Sequence, residues 1–473
     1  MGDAKWPLHT LPADAALAAL VQLAAGLIAE AAPLAGALLG GVPELPDVTP
    51  ERVASAVSAM ALLADRLEAL PPIAAPDDEI DRQALGFALR RSVAAFRPPD
   101  PAGPEALEQH LQLRLLRLLQ EPDGALESLV ELVEYGPEFL RSSRPAAAGG
   151  GRPAGELAVE AAGRLPLLLD ACAAAGRELA PTPLRLRLEA ALGALLQAGA
   201  EESGWLLREY RPQAVDPPAA EPDTMAQGLG MTISELESAA EAALTDAVLA
   251  PAPAAEEVRP LEGVEEVRLA WEAQLHGPPA AASDPGLEVM RTPPWLESLL
   301  PGLSLVLPGP LSVGPPRLLV AGRQAGTADD VALIHQSEFL PWVHQRARLR
   351  LARALVPAPD LLEGWRAHVR QAGAGGTPPW PRELAWRASL ALASIAMSVR
   401  GATAEQAAGM VASESGVPEA TARLQCLHLR RRPLAGLTFL AGRSAVAAAL
   451  VRVGPGPLLA AGPLPAAAAT LLV

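Results

Sequence analysis

Between Ile334 and Arg350 the chain runs I-H-Q-S-E-F-L-P-W-V-H-Q-R-A-R-L-R, and these residue types come nearest to chemistry. A zinc site carried on a helix takes imidazoles as ligands. It places a glutamate beside the first of them, where it activates the metal-bound water. Glu338 supplies that glutamate, but Ser337 stands where the first imidazole belongs. His335 and His344 are the nearest imidazoles. On a regular helix His335 shares a face with Glu338, whereas His344 points about 240° away from it. Three readings stay open: Glu338, His344 and a further carboxylate hold a metal; or Glu338 is a solvated acid and His344 a surface or capped histidine; or the site is a repurposed pocket.

Three later segments must supply whatever else a site needs. L-L-E-G-W-R-A-H at 361–368 offers Glu363 and His368. S-I-A-M-S-V-R-G-A-T-A-E-Q-A at 394–407 places Thr403 and Gln406 three apart, the spacing of a capping box at a helix start. H-L-R-R-R-P-L-A-G-L-T-F-L-A-G at 428–442 brings His428, Pro433 and Phe439. His368 and His428 read as ordinary polar residues. No G-x-S-x-G, G-x-x-x-x-G-K-[ST] or G-x-G-x-x-G motif is present, and G-A-G-G-T at 373–377 precedes P-P-W-P as a loop.

Together the four segments resemble the motif set of the domain of unknown function eight-eight-five, a bacterial family whose members look like zinc metallopeptidases of carboxypeptidase or dipeptidase type. Its H-E-x-x-P-G-H-H-x-Q motif is matched at Glu338, Pro341 and His344. Ser337 and Val343 fall on the two ligand-histidine positions, and Trp342 falls on the glycine. The family's helix must bend at Pro-Gly to bring its second histidine round, and Trp342 lacks glycine's backbone freedom. The resemblance makes Glu363 of E-G-W the third metal ligand. In the family's D-x-G-x-H and G-W-T-x-E-x-A segments, Ser394 replaces the aspartate and Ser398 the histidine, while Gly401, Thr403, Glu405 and Ala407 match. In R-Y-x-x-x-P-G-Q-A-L-x-Y-x-x-G, His428, Leu429, Ala435 and Phe439 replace the Arg, Tyr, Gln and second Tyr, while Pro433, Leu437 and Gly442 match. Matches at Leu45-Pro46-Asp47, at G-P-E-F-L-R ending in Arg141, and at V-M-R-T-P-P-W-L over 289–296 spread the resemblance along the chain.

Capping, turn and apolar positions therefore match, while positions that would bind metal, hold a substrate carboxylate or donate protons are replaced. The resemblance implies a metallopeptidase-like protein that has lost zinc and catalysis, and that acts by binding a peptide, a small ligand or an active paralogue. The alternative is a divergent zinc-dependent peptidase using Glu338 with Glu363 and His344 as a non-standard ligand set. No cofactor other than zinc is implied. A mainly α, multi-helical zincin-like peptidase fold around a deep cleft is the expected architecture.

Composition sets the remaining bounds. Half of the 473 residues are hydrophobic but only 3% are aromatic, so the core must be Ala, Leu and Val. Forty-nine prolines divide the chain into helices and turns. A formal charge of -16 argues against nucleic acid as a partner, because phosphate binding needs a basic face. Two cysteines, Cys172 and Cys426, fit a reducing cytoplasm better than a secreted disulfide framework. Ala15 to Gly41 is apolar, yet it contains Gln22, Glu30 and Pro33. It reads as a buried amphipathic helix rather than a signal or membrane anchor.

Helices are expected over 13–39, from Pro50 to about Leu70, over 77–96, 105–120, 126–141, 156–175 and 183–209, and over 228–250 behind a Thr/Ser cap. The segment 144–153 reads as a loop. Leu303 to Val320 carries the one strand signal, a hairpin or short meander. The expected organisation is an N-terminal helical half over 1–250, a linker over 251–285 and a C-terminal half over 286–473 bearing the motifs.

Overall fold

The computed structural model describes residues 11–31, 50–95, 103–148, 152–210, 229–249, 259–275, 286–309, 314–322, 326–347, 350–355, 360–373, 380–461 and a few positions from 464 to 472. It is mainly helical with one small sheet.

Helices α1 (Ala15–Ala31), α2 (Pro50–Ala69) and α3 (Pro76–Ala95) form the first layer. In α1, Leu17, Val21, Ala24, Ala25 and Ile28 recur at helical spacing and are all buried. They pack on Met60, Leu63 and Leu67 of α2 and on Leu85 and Leu89 of α3. Asp14 caps α1 by accepting from the Leu17 N–H at 2.8 Å. Pro50 opens α2, as its fixed φ favours. Thr49 lies outside the described residues.

A second bundle follows: α4 (Gly103–Leu118), α5 (Pro122–Ala148), α6 (Arg152–Leu179) and α7 (Thr182–Arg208). Its core is almost entirely Leu, Val and Ala. The loop expected over 144–153 is mostly helical, because α5 runs on to Ala148 and α6 starts at Arg152. Alanine's high helix propensity over 146–148 outweighs the turn signal there.

Helix α8 (Ile233–Leu249) begins behind Thr232, whose hydroxyl accepts from Glu235 N–H while the Glu235 carboxylate accepts from Thr232 N–H at 2.7 Å. Helix α9 (Val264–Leu275) lies within the expected linker. It packs Val267 and Trp271 on the sheet.

Strands β1 (Glu288–Arg291), β2 (Leu303–Val306) and β3 (Arg317–Val320) make a sheet of order β1-β3-β2. The antiparallel β2–β3 pair is the hairpin expected over 303–320. Strand β1 adds to it in parallel, pairing Glu288 with Arg317 and Arg291 with Val320.

The remaining elements are α10 (Ala328–Ile334), a π-helical turn (His335–Phe339), α11 (Leu340–Ala347), α12 (Leu351–Ala354), α13 (Asp360–Gly373), α14 (Trp380–Val399), α15 (Ala404–Ser415), α16 (Glu419–Arg431), a 3₁₀ turn (Pro433–Gly436), α17 (Thr438–Val453) and α18 (Pro455–Ala460). Cores cross the expected halves. Leu236, Ala240 and Ala243 of α8 pack with Leu384, Ala388 and Ala391 of α14, and Leu351 and Leu355 join the α1–α3 layer.

Two buried ionic ties fix the ends of the elements that carry the motifs. Arg91 of α3 donates to both carboxylate oxygens of Asp360 at 2.8 Å, and both side chains are buried. Asp360 also accepts from Ala466 N–H. Burial raises the Asp360 pKa, against the pull of Arg91. Asp81, fully buried on α3, takes Arg350 at 2.5 Å and Arg353 at 2.7 Å. Removing one partner of such a pair strands a buried charge, at a cost of about 3–5 kcal/mol.

Candidate functional site

Helix α10 starts at a capping box in which Thr327 and Asp330 bond reciprocally. At its end the hydrogen-bond register changes. Leu340 N–H reaches back five residues to His335 O, making the π turn over His335–Phe339. Pro341 has no N–H. The Gln336 carbonyl thus lacks both donors that a following helix would offer. Trp365 of α13 fills the gap, its indole N–H donating to Gln336 O at 2.9 Å. The bend that the resemblance implies at Pro341 and Trp342 is displaced one turn towards the N-terminus.

The π turn decides where each side chain goes. His335 stacks edge-on against Trp271 with centroids 5.0 Å apart, and Phe339 meets the same indole at 4.9 Å. Ser337 is buried. Trp342 is also buried, donating from Nε1 to Pro308 O at 3.2 Å and stacking under the Arg346 guanidinium. Val343 packs against the same sheet-side cluster. Trp342 on the glycine position is therefore a core residue.

Glu338 faces the other way. It lines a cleft of about 410 Å³, open mouth included, together with Glu363, Arg366, Ala367 and Arg370 of α13, Glu383 and Arg387 of α14, and Phe439 of α17. The two carboxylates singled out in the sequence thus share one pocket. His344 is not among the residues that line this cleft.

The cleft is ionically matched. Arg366 donates to Glu363 Oε1 at 2.7 Å, and Arg387 approaches Glu363 Oε2 at 3.5 Å. Arg370 is paired with Glu383, and Arg387 reaches Glu383 Oε1 at 3.5 Å. The Arg387 guanidinium lies over the Phe439 ring, 5.5 Å from its centroid. Glu338 makes no hydrogen bond or ion pair among the described residues. The arginines were missed in the sequence. Their signal was present: Glu363, Arg366 and Arg370 follow i, i+3, i+7, and Glu383 and Arg387 follow i, i+4.

Glycines set the walls. A methyl on Gly364 would overlap the Gly442 carbonyl, and one on Gly442 would overlap the Asp360 carbonyl. The glycines of E-G-W and of the 428–442 segment are thus the point where α13 and α17 cross backbone to backbone. Gly401 has φ +71°, and Ala402 N–H returns to Ala396 O, closing α14 before the Thr403–Gln406 capping box. Fully buried Ser394 donates to Pro433 O at 2.5 Å, tying α14 to the 3₁₀ turn. His428 is half-buried outside the cleft, its pKa lowered by burial and then by Arg432. Leu429 belongs to the core of α14, α15 and α16.

These residues do not fit a catalytic zinc. Ser337 and Val343 sit among core residues, and Glu363 is already engaged by two guanidinium groups. Among the described residues, no group of three His, Cys, Asp or Glu side chains is placed to hold a metal.

No family model matches the chain. No curated protein matches it either. Among solved structures it is similar to "the putative lipoprotein from Colwellia psychrerythraea", with a TM-score of 0.65 and 13% identity over 96% of this chain and 98% of that one. At that identity the likeness shows a shared fold. Among the described residues, no helix is long and apolar enough to cross a membrane.

Proposed function

We infer that this chain is a metallopeptidase-like protein that binds a peptide or small ligand in the α13–α14 cleft without zinc and without cleaving it. One observation carries the reading: Glu363, the carboxylate that the resemblance makes a metal ligand, is held instead by Arg366 and Arg387. A metal ligand needs its lone pairs and charge free for the cation, and here the Arg366 guanidinium takes Oε1 at 2.7 Å while Arg387 lies 3.5 Å from Oε2. Ser337 and Val343, on the imidazole positions, offer no replacement. A cytoplasmic home fits the two free, buried cysteines, Cys172 and Cys426. An active paralogue is one class of partner for such a protein.

Elemental analysis after purification without added zinc, with calorimetric zinc titration and a peptide-cleavage assay, tests this. Far less than one zinc per chain and no cleavage are expected. Near-stoichiometric zinc that resists mild chelation and is lost on Glu363→Ala would establish the divergent zinc peptidase instead.

A further inference from the structure

Glu338 and Arg387 are the two charged side chains of the cleft that make no short ion pair, and they have opposite signs. Glu338 makes no polar contact among the described residues. Arg387 touches Glu363 and Glu383 only at 3.5 Å, the outer limit of a hydrogen bond, and otherwise rests on Phe439. The other groups are in short ion pairs, although Arg366 and Arg370 each keep a buried Nε without a hydrogen-bond partner. Arg366 holds Glu363 at 2.7 Å, and Arg370 holds Glu383. Three carboxylates and three guanidinium groups line the same space. A plain anion would meet the glutamates, and a plain cation would meet the arginines. A ligand carrying both signs meets Glu338 and Arg387 without displacing either short pair. Ala367 and the Phe439 ring supply the apolar part of the wall.

We propose that the cleft binds a free zwitterionic α-amino acid with an apolar side chain. Its carboxylate rests on Arg387, its ammonium on Glu338, and its side chain along Ala367 and Phe439. Size favours a single amino acid over an extended peptide. The enclosed space is about 120 Å³, below the roughly 300–1,000 Å³ of pockets for larger ligands. The proposal rests on the zinc-free binding function inferred above, and it narrows the ligand from a peptide or small molecule to one amino acid.

The test is calorimetric titration of the full chain with L-leucine and L-phenylalanine. Beside them run their amides, which lack the carboxylate, their N-acetyl forms, which lack the ammonium, and trileucine. At least one free amino acid should bind, with its amide and N-acetyl forms weaker by roughly tenfold or more, the worth of a charge-assisted hydrogen bond. Glu338→Gln should abolish the preference over the N-acetyl form, and Arg387→Gln the preference over the amide. Equal binding of either blocked form overturns the proposal, as does the absence of binding by both amino acids. Trileucine binding without amino-acid binding also overturns it, yet leaves the cleft a peptide site. Zinc uptake, measured separately, strikes the underlying reading instead.

Discussion

The indole N–H of Trp365 donates to the carbonyl oxygen of Gln336 at 2.9 Å, joining α13 to the π turn at the one carbonyl that Pro341 leaves without a helical donor. Trp365→Phe keeps most of the packing and removes the donor. It should cost about 1–3 kcal/mol, the penalty for an orphaned carbonyl in a partly buried site. Chemical denaturation measures this, and a loss within error of zero would mean that water replaces the indole.

Gly364→Ala and Gly442→Ala each drive a methyl into a backbone carbonyl of the facing helix. Each should destabilise by about 3 kcal/mol or more, since no side chain can turn aside to make room. Gly409→Ala in α15 is the control, because a methyl there meets nothing within 4 Å. It should stabilise by about 0.5–1 kcal/mol through helix propensity. Thermal melts of the three variants separate packing from backbone entropy.

His110 is 1% exposed with Nδ1 unpartnered, and burial, then Arg114, pushes its pKa down to about 4. The unfolded chain takes up the proton near pH 6.5, whereas the folded chain resists until about pH 4. The folded pKa of this base is depressed. Its contribution is therefore complete above pH 6.5 and is lost as pH falls through that window. Between pH 7.5 and 5 the loss should be about 2 kcal/mol. His110→Leu should flatten the stability curve over that range, as denaturant midpoints at both pH values would show.

Glu338 makes no bond among the described residues, so Glu338→Ala should change stability by less than about 0.5 kcal/mol. Glu363→Ala removes the carboxylate that Arg366 holds and should cost about 1 kcal/mol, reduced from a buried pair's value by the partial exposure of both side chains. Differential scanning calorimetry distinguishes the two, and equal losses would place Glu338 in the same ionic network.

Helix starts were legible because capping chemistry is local. The Thr403–Gln406 box, Thr232 before α8 and Pro50 at the head of α2 fall where residue types put them. Glu338 and Glu363, both singled out in the sequence, line one cleft. The π turn was not legible. It depends on a partner 29 residues away, Trp365, that captures the spare carbonyl, and no local propensity encodes that partnership. The buried place of Trp342 was not legible for the same reason. Its role as a buried anchor depends on the 307–309 segment and the sheet, which only the fold brings beside it. Strand β1 escaped notice because four residues with both ends exposed carry little alternation.

The Gly364–Gly442 crossing leaves no side-chain layer between α13 and α17, so sliding one helix past the other has no soft contacts to deform. Glu363, Arg366 and Arg370 on the first helix and Phe439 on the second behave as one stiff plate. Helix α14 brings Glu383 and Arg387 to the opposite side on longer, partly exposed side chains. Adaptation to different occupants must therefore fall on that side, by rotation of Arg387 away from its 3.5 Å partners. Selectivity would then be read as the freedom of one guanidinium, measured against a wall that does not yield.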